Sequence, residues 1–170
     1  DICEGPAMNQ EDLLYSINKG IESVNETSDL IILGEMGIGN STIASAISSA
    51  SFGGAINKWV GRGTANNDNK ISKKIDVIKK ALKSNVNREP LKILMSLGGR
   101  EQAAIFGAVL AARAMKIPVL IDGFICTSSI IPLFLIEKHS LDHCIFGHCS
   151  MEKGHKHLLE MINKKALLDL

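Results

Sequence analysis

The sequence has 170 residues, 45% of them hydrophobic and 22% charged, with a formal net charge of +1. That is chain enough for one domain with a proper core, and the charge balance gives no electrostatic case for nucleic acid or an anionic membrane surface. Aromatic residues at 4% offer few platforms for stacking bases, and no apolar run is as long as a membrane span.

Asn9 followed three residues later by Asp12, then Leu13, Leu14, Ile17, Ile21 and Val24, predicts a capped amphipathic helix from about Gln10 to Asn25. Asp29 to Leu33 then reads as a buried strand. Three glycines, Gly34, Gly37 and Gly39, forbid its continuation. Asn40, Ser41 or Thr42 is placed to cap a helix from Ile43 to Ser49. Strand, Gly-rich turn and helix start make an anion-binding arrangement, because glycines admit close backbone approach and the helix start offers unpaired N–H groups.

Gly34 to Gly39 followed by Asn40-Ser41 has the spacing of the phosphate loop G-x-x-x-x-G-K-[ST], without its lysine. Holding the β and γ phosphates of a triphosphate needs that cation, so ATP or GTP is disfavoured and a monophosphate fits better. Glu35 inside the loop would repel a polyphosphate but can accept hydrogen bonds from a sugar hydroxyl or a ring N–H.

Phe52-Gly53-Gly54 breaks the helix, and Ile56, Trp59 and Val60 return to the core. Gly61-Arg62-Gly63 opens a polar loop in which the arginine can clamp a carboxylate or phosphate, or simply be solvated. Lys70 to Ser84 is a lysine-rich amphipathic helix whose basic residues mostly read as a solvated face. After Pro90, Leu91 to Leu97 has near-helical spacing and stops at Gly98-Gly99. Arg100 to Met115 is an Ala-rich helix able to pack closely on a neighbour.

Ile117 to Ile121 is a parallel-strand candidate ending in Asp122-Gly123-Phe124. An acid and a glycine just past such a strand are where open α/β sheets place ligand groups, and Asp122 is equally placed to cap a helix. Thr127 to His139 reads as a helix with Pro132 early in it or kinking it. Asp142 to Gly147 is another buried strand, ending in His148-Cys149-Ser150, and Lys153 to Lys164 is a last helix. The expected fold is thus α/β, a Rossmann-like open and mostly parallel sheet with helices on both faces and one ligand-binding edge.

Cys3, Cys126, Cys144 and Cys149 form no C-x-x-C pair. Cys144 and Cys149 with His143 and His148 make a Cys/His-rich stretch, but its spacing fits a strand and its exit better than a metal site, and no metal is expected. The expected setting is cytoplasmic, with reduced thiols. Asp1 and Leu170 both read as cut ends, so residues 1–170 are expected to be one α/β domain from the middle of a longer protein.

With these residues laid out, the sequence resembles the nicotinate-nucleotide:dimethylbenzimidazole phosphoribosyltransferase family of cobalamin biosynthesis. The motifs run in order over nearly the whole chain: Gly5-Pro6-Ala7-Met8, Gly34-Glu35-Met36-Gly37-Ile38-Gly39-Asn40, Val60-Gly61-Arg62-Gly63-Thr64, Gly98-Gly99, Asp122-Gly123-Phe124-Ile125, Ser150 with Glu152, Gly154-His155, and Leu167-Leu168-Asp169-Leu170. The stretch G-E-M-G-I-G-N is the most specific.

The resemblance implies transfer of a phosphoribosyl group from nicotinate mononucleotide to 5,6-dimethylbenzimidazole, giving α-ribazole 5′-phosphate and nicotinate. No cofactor is implied, the partners are small-molecule substrates, and a homodimer is expected. The alternatives are a non-catalytic mononucleotide-binding subunit and a relative using another azole or a phenol. The implied substrate-binding residues are Glu35, Met36, Gly37, Gly39, Asn40, Gly61, Arg62, Gly63, Lys74, Gly98, Gly99, Asp122, Gly123 and Ser150. No catalytic residue is expected within the chain, because the family's general-base glutamate follows the L-L-D-L motif and would lie beyond Leu170. Ala65, Asn67 and Arg100 depart from the family pattern and bear on substrate preference more than on fold.

Overall fold

The computed structural model of the chain describes residues 1–61 and 68–169. Helix α1 spans Gln10–Glu22, and its cap is the predicted one, with the Asn9 side chain accepting from the Asp12 amide at 2.7 Å. Strand β1 is Ile31–Leu33, followed by α2, Asn40–Phe52, which is stopped by Gly53. A 3-10 turn over Ile56–Lys58 leads to α3, Asp68–Ser84, and then to α4, Pro90–Leu97, and α5, Arg100–Met115. Strand β2 is Val119–Ile121, then come α6, Gly123–Ser129, and α7, Ile131–Ile136. The chain closes with β3, Cys144–Cys149, α8, Lys153–Met161, and β4, Ala166–Asp169.

Three of these differ from the sequence expectation. The cap of α2 is Gly39, in the left-handed region at φ 89°, and no side chain caps it. A backbone turning that way favours glycine, so Asn40, Ser41 and Thr42 lie inside the helix with their side chains free for other partners. The helix expected over Thr127 to His139 begins earlier, at Gly123, and breaks at Ile130, with Pro132 in the first turn of α7 where its missing N–H costs nothing. Strand β4 has no counterpart in the sequence expectation.

The four strands pair in the order β1-β2-β3-β4, all parallel. The order follows the sequence without reversal, so it is the carboxyl ends of the strands, and not a switch in their order, that collect the loops. In register, Ile31, Val119 and Cys144 align, as do Leu33, Ile121 and Phe146. These face the main core with Phe124, Ile130 and Leu158. The alternate row, Ile32, Leu120 and Ile145, points the other way. On that side Ile32 is 66% and Leu167 69% exposed.

Helices α1 and α5 lie side by side, their N-terminal ends together, and touch backbone to backbone. A Cβ at Gly20 would run into the Ala104 carbonyl, and one at Gly107 into the Ile17 carbonyl. The Arg100 guanidinium adds an ion pair to Asp12 at 2.8 Å, which holds the Asp12 carboxyl below its ordinary range. Arg100, one of the departures from the family pattern, thus serves this exposed helix contact.

Candidate functional site

The loops after β1, β2 and β3 enclose a cleft of about 220 Å³ lined by Glu35, Ser41, Asp122, Gly123, His148, Ser150 and Glu152, with Phe124 and Ile125 behind. Glu35 closes back on its own loop, accepting from the Gly37 amide and, at 2.6 Å, from Asn40 Nδ2. Asn40 is buried and its amide also donates to Glu101 Oε1 at 2.9 Å. Both of its N–H bonds are therefore committed to carboxylates. Where a phosphate loop offers a lysine to a triphosphate, this chain has an amide already spent on acids. The second oxygen of Glu35, Oε2, is buried and has no donor among the described residues.

A cation also reaches the start of α2. Lys74 Nζ donates to Ser41 Oγ at 2.9 Å, and burial lowers the Lys74 pKa from its ordinary value while the nearby Glu152 opposes the shift. Ser41 is in the first turn of α2, so the lysine, the hydroxyl and the uncapped backbone N–H groups of that helix start converge on one end of the cleft.

The loop after β2 supplies Asp122 and Gly123, the latter at φ 69°. Asp122 occupies the cap position of α6 but makes no capping bond; its Oδ1 lies 3.2 Å from His148 Nδ1 at the end of β3. Behind the cleft wall, Ser150 N and Oγ are each 3.0 Å from His155 Nδ1. Gly61 packs on Glu152, and a side chain there would have to displace the Glu152 carboxylate.

Of the residues implied from sequence, Glu35, Asp122, Gly123 and Ser150 line the cleft. Lys74, Asn40, Gly37 and Gly61 adjoin it through the contacts just given. Gly39 acts as the helix cap. Gly98 and Gly99 do not line the cleft, and they sit instead at the start of α5, where Gly99 leaves room for the Glu101 and Gln102 side chains. Met36 is 99% exposed and makes no part of the lining. Arg62 and Gly63, with Ala65 and Asn67, lie outside the described residues.

Sequence reasoning singled out neither Glu101 nor Thr127 as a site residue, and weighed His148 only as part of a Cys/His-rich stretch. The spacing His148, Ser150, Glu152, His155 was the available signal, since a strand exit followed at once by a helix brings all four to one side.

The family model described as phosphoribosyltransferase, DBI_PRT, matches residues 1–170. Among curated relatives, the nicotinate-nucleotide–dimethylbenzimidazole phosphoribosyltransferase of Rhodobacter capsulatus is 45% identical over 170 residues, 100% of this chain and 51% of the relative. The protein of the same name from Mesorhizobium japonicum is 46% identical over 172 residues, again 51% of its length. The crystal structure of CobT from Thermus thermophilus superposes with a TM-score of 0.88 at 32% identity, covering 99% of this chain and 52% of that one. The chain spans about half the length of the curated relatives it matches.

Proposed function

The chain belongs to the phosphoribosyltransferase family DBI_PRT, and from that membership we propose that its cleft holds nicotinate mononucleotide for transfer of the phosphoribosyl group to 5,6-dimethylbenzimidazole. The observation that carries this reading is the polarity of the cleft. Lys74, Ser41 and the start of α2 gather where they suit a single phosphate, and Glu35, lining the same cleft, keeps a buried oxygen without a donor among the described residues, which suits a ribose hydroxyl. A buried acceptor left unpaired costs about 1–3 kcal/mol, so a ligand that donates to it gains what the free protein lacks.

In the reaction an azole nitrogen attacks C1′ from the face opposite nicotinate, the C1′–N bond to the pyridinium breaks, and its electron pair returns to the nicotinate nitrogen. The azole N–H proton passes to a general base, for which the family pattern points to a glutamate after the L-L-D-L motif. The residues here bind and orient: Glu35 and Asp122 toward the sugar, Lys74 and Arg62 toward the phosphate. Gly37 and Gly39 belong to the reading as backbone of the loop that carries Glu35.

Residues 1–170 are read as one α/β domain from the centre of a longer enzyme, working as a homodimer in the cytoplasm. Support for the compartment is the four free cysteines and the lack, among the described residues, of any helix long and apolar enough to cross a membrane. The test is a product assay on the full polypeptide with nicotinate mononucleotide and a panel of benzimidazoles, other azoles and phenols. Formation of α-ribazole 5′-phosphate with release of nicotinate is expected. No transfer to any acceptor by a protein that still binds the nucleotide would favour a binding subunit instead.

A further inference from the structure

His155 lies outside the cleft, is 0% exposed, and has both ring nitrogens engaged. Its Nδ1 lies 3.0 Å from the Ser150 amide, whose N–H can only donate, so Nδ1 is the bare nitrogen. The proton of a neutral ring must then be on Nε2, which stands 3.1 Å from Thr127 Oγ1. Thr127 in turn donates its own hydroxyl to the Gly123 carbonyl at 2.7 Å, leaving an oxygen lone pair for the ring N–H. Every bond in this chain has one consistent direction. Ser150 Oγ also lies 3.0 Å from Nδ1, but the single lone pair there already receives the amide proton.

We propose that His155 is a positioning residue: as the Nε2–H tautomer it pins the Ser150 loop to the Gly123 loop and leaves the Ser150 hydroxyl free to donate into the cleft. It ties together the exits of β3 and β2, two walls of one cleft, through a buried ring that is not among the residues lining the cleft. A lysine or arginine at 155 could not accept the Ser150 amide, and an aliphatic residue would orphan that amide and the Thr127 hydroxyl oxygen together. Burial, reinforced by His148 with its ring 6.2 Å away and paired to Asp122, lowers the ring's pKa to about 4 and keeps it neutral. The hydroxyl's role as a ligand donor rests on the mononucleotide reading above; the fixed tautomer does not.

Two measurements on the full polypeptide separate these. Nitrogen-15 spectra of the ligand-free protein, with His155 assigned by its loss in His155→Gln, should show one neutral Nε2–H ring unchanged from pH 7.5 to 5. Thr127→Val should keep the Nε2–H tautomer, which the Ser150 amide fixes, but shift the Nε2 resonance as its acceptor is lost, and Thr127→Ser should restore it. A ring that exchanges between tautomers, or takes a proton near the ordinary histidine pKa, overturns the clamp. In titrations with nicotinate mononucleotide, Ser150→Ala and Thr127→Val should each weaken binding about tenfold, the loss of one hydrogen bond. The double variant should be no weaker than Ser150→Ala alone. Losses that multiply would make Thr127 and His155 merely structural. A wild-type protein that does not bind the nucleotide overturns the donor role of Ser150 and the mononucleotide reading, while the nitrogen spectra still decide the tautomer.

Discussion

Glu35 and Asn40 carry the chemical distinction between this loop and a triphosphate site. Because the Asn40 amide holds Glu35 and Glu101 together, Asn40→Lys is expected not to create ATP binding; it would pair with the two acids and leave the phosphates no cation. Calorimetry with ATP on that variant checks it. Glu35→Ala should lower affinity for nicotinate mononucleotide at least tenfold while the thermal midpoint stays within a few degrees, since among the described residues Glu35 bonds only its own loop and Asn40. The cysteines give a third residue-level expectation. Burial pushes the thiols of Cys126 and Cys144 up to about 12, so neither should react with iodoacetamide at neutral pH until the chain is unfolded, as peptide mapping would show.

At the scale of elements, the pair α1 and α5 depends on two glycines at the contact. Gly107→Ala would force the helices apart against the Ile17 carbonyl and should cost about 1–3 kcal/mol in urea unfolding, whereas Ala104→Gly, on the same face, should cost about 1 kcal/mol from helix propensity. Elements with a plain composition or cap signal were legible in sequence: the Ala-rich α5 has its predicted bounds, and α1 its predicted cap. What was not legible had a backbone cause. A side-chain cap for α2 was expected from residue type, but Gly39 can turn through positive φ and displaced it. The start of α6 was hidden because Gly123 takes the same kind of turn directly off β2. Strand β4 has only four residues after Lys164-Lys165 and shows no alternation. His155 sits in a helix rich in lysine, where a histidine reads as solvated, and only the packing of α8 on α6 reveals it buried.

For the molecule as a whole, the buried histidine sets an acid limit. Above pH 6.5 the His155 ring is neutral folded or unfolded. Between pH 6.5 and about 4 the unfolded chain takes up a proton that the native state refuses, so stability falls with pH, by up to about 3 kcal/mol. His143, lowered by its own burial, adds to the fall with the same sign. Urea midpoints measured across that range should drop, and drop less steeply in His155→Gln. The class of fold was readable from three strands ending in polar loops; the site was readable in its acids and glycines, but not in the bonds Asn40–Glu101, Ser41–Lys74 and Thr127–His155, because those join residues far apart in sequence. The row Ile32, Leu120 and Ile145, with Leu167 beside it, has a larger consequence. Greasy on that side and wetted there, the chain should bind a hydrophobic dye such as ANS and cluster as its concentration rises, and Ile32→Asp should weaken both.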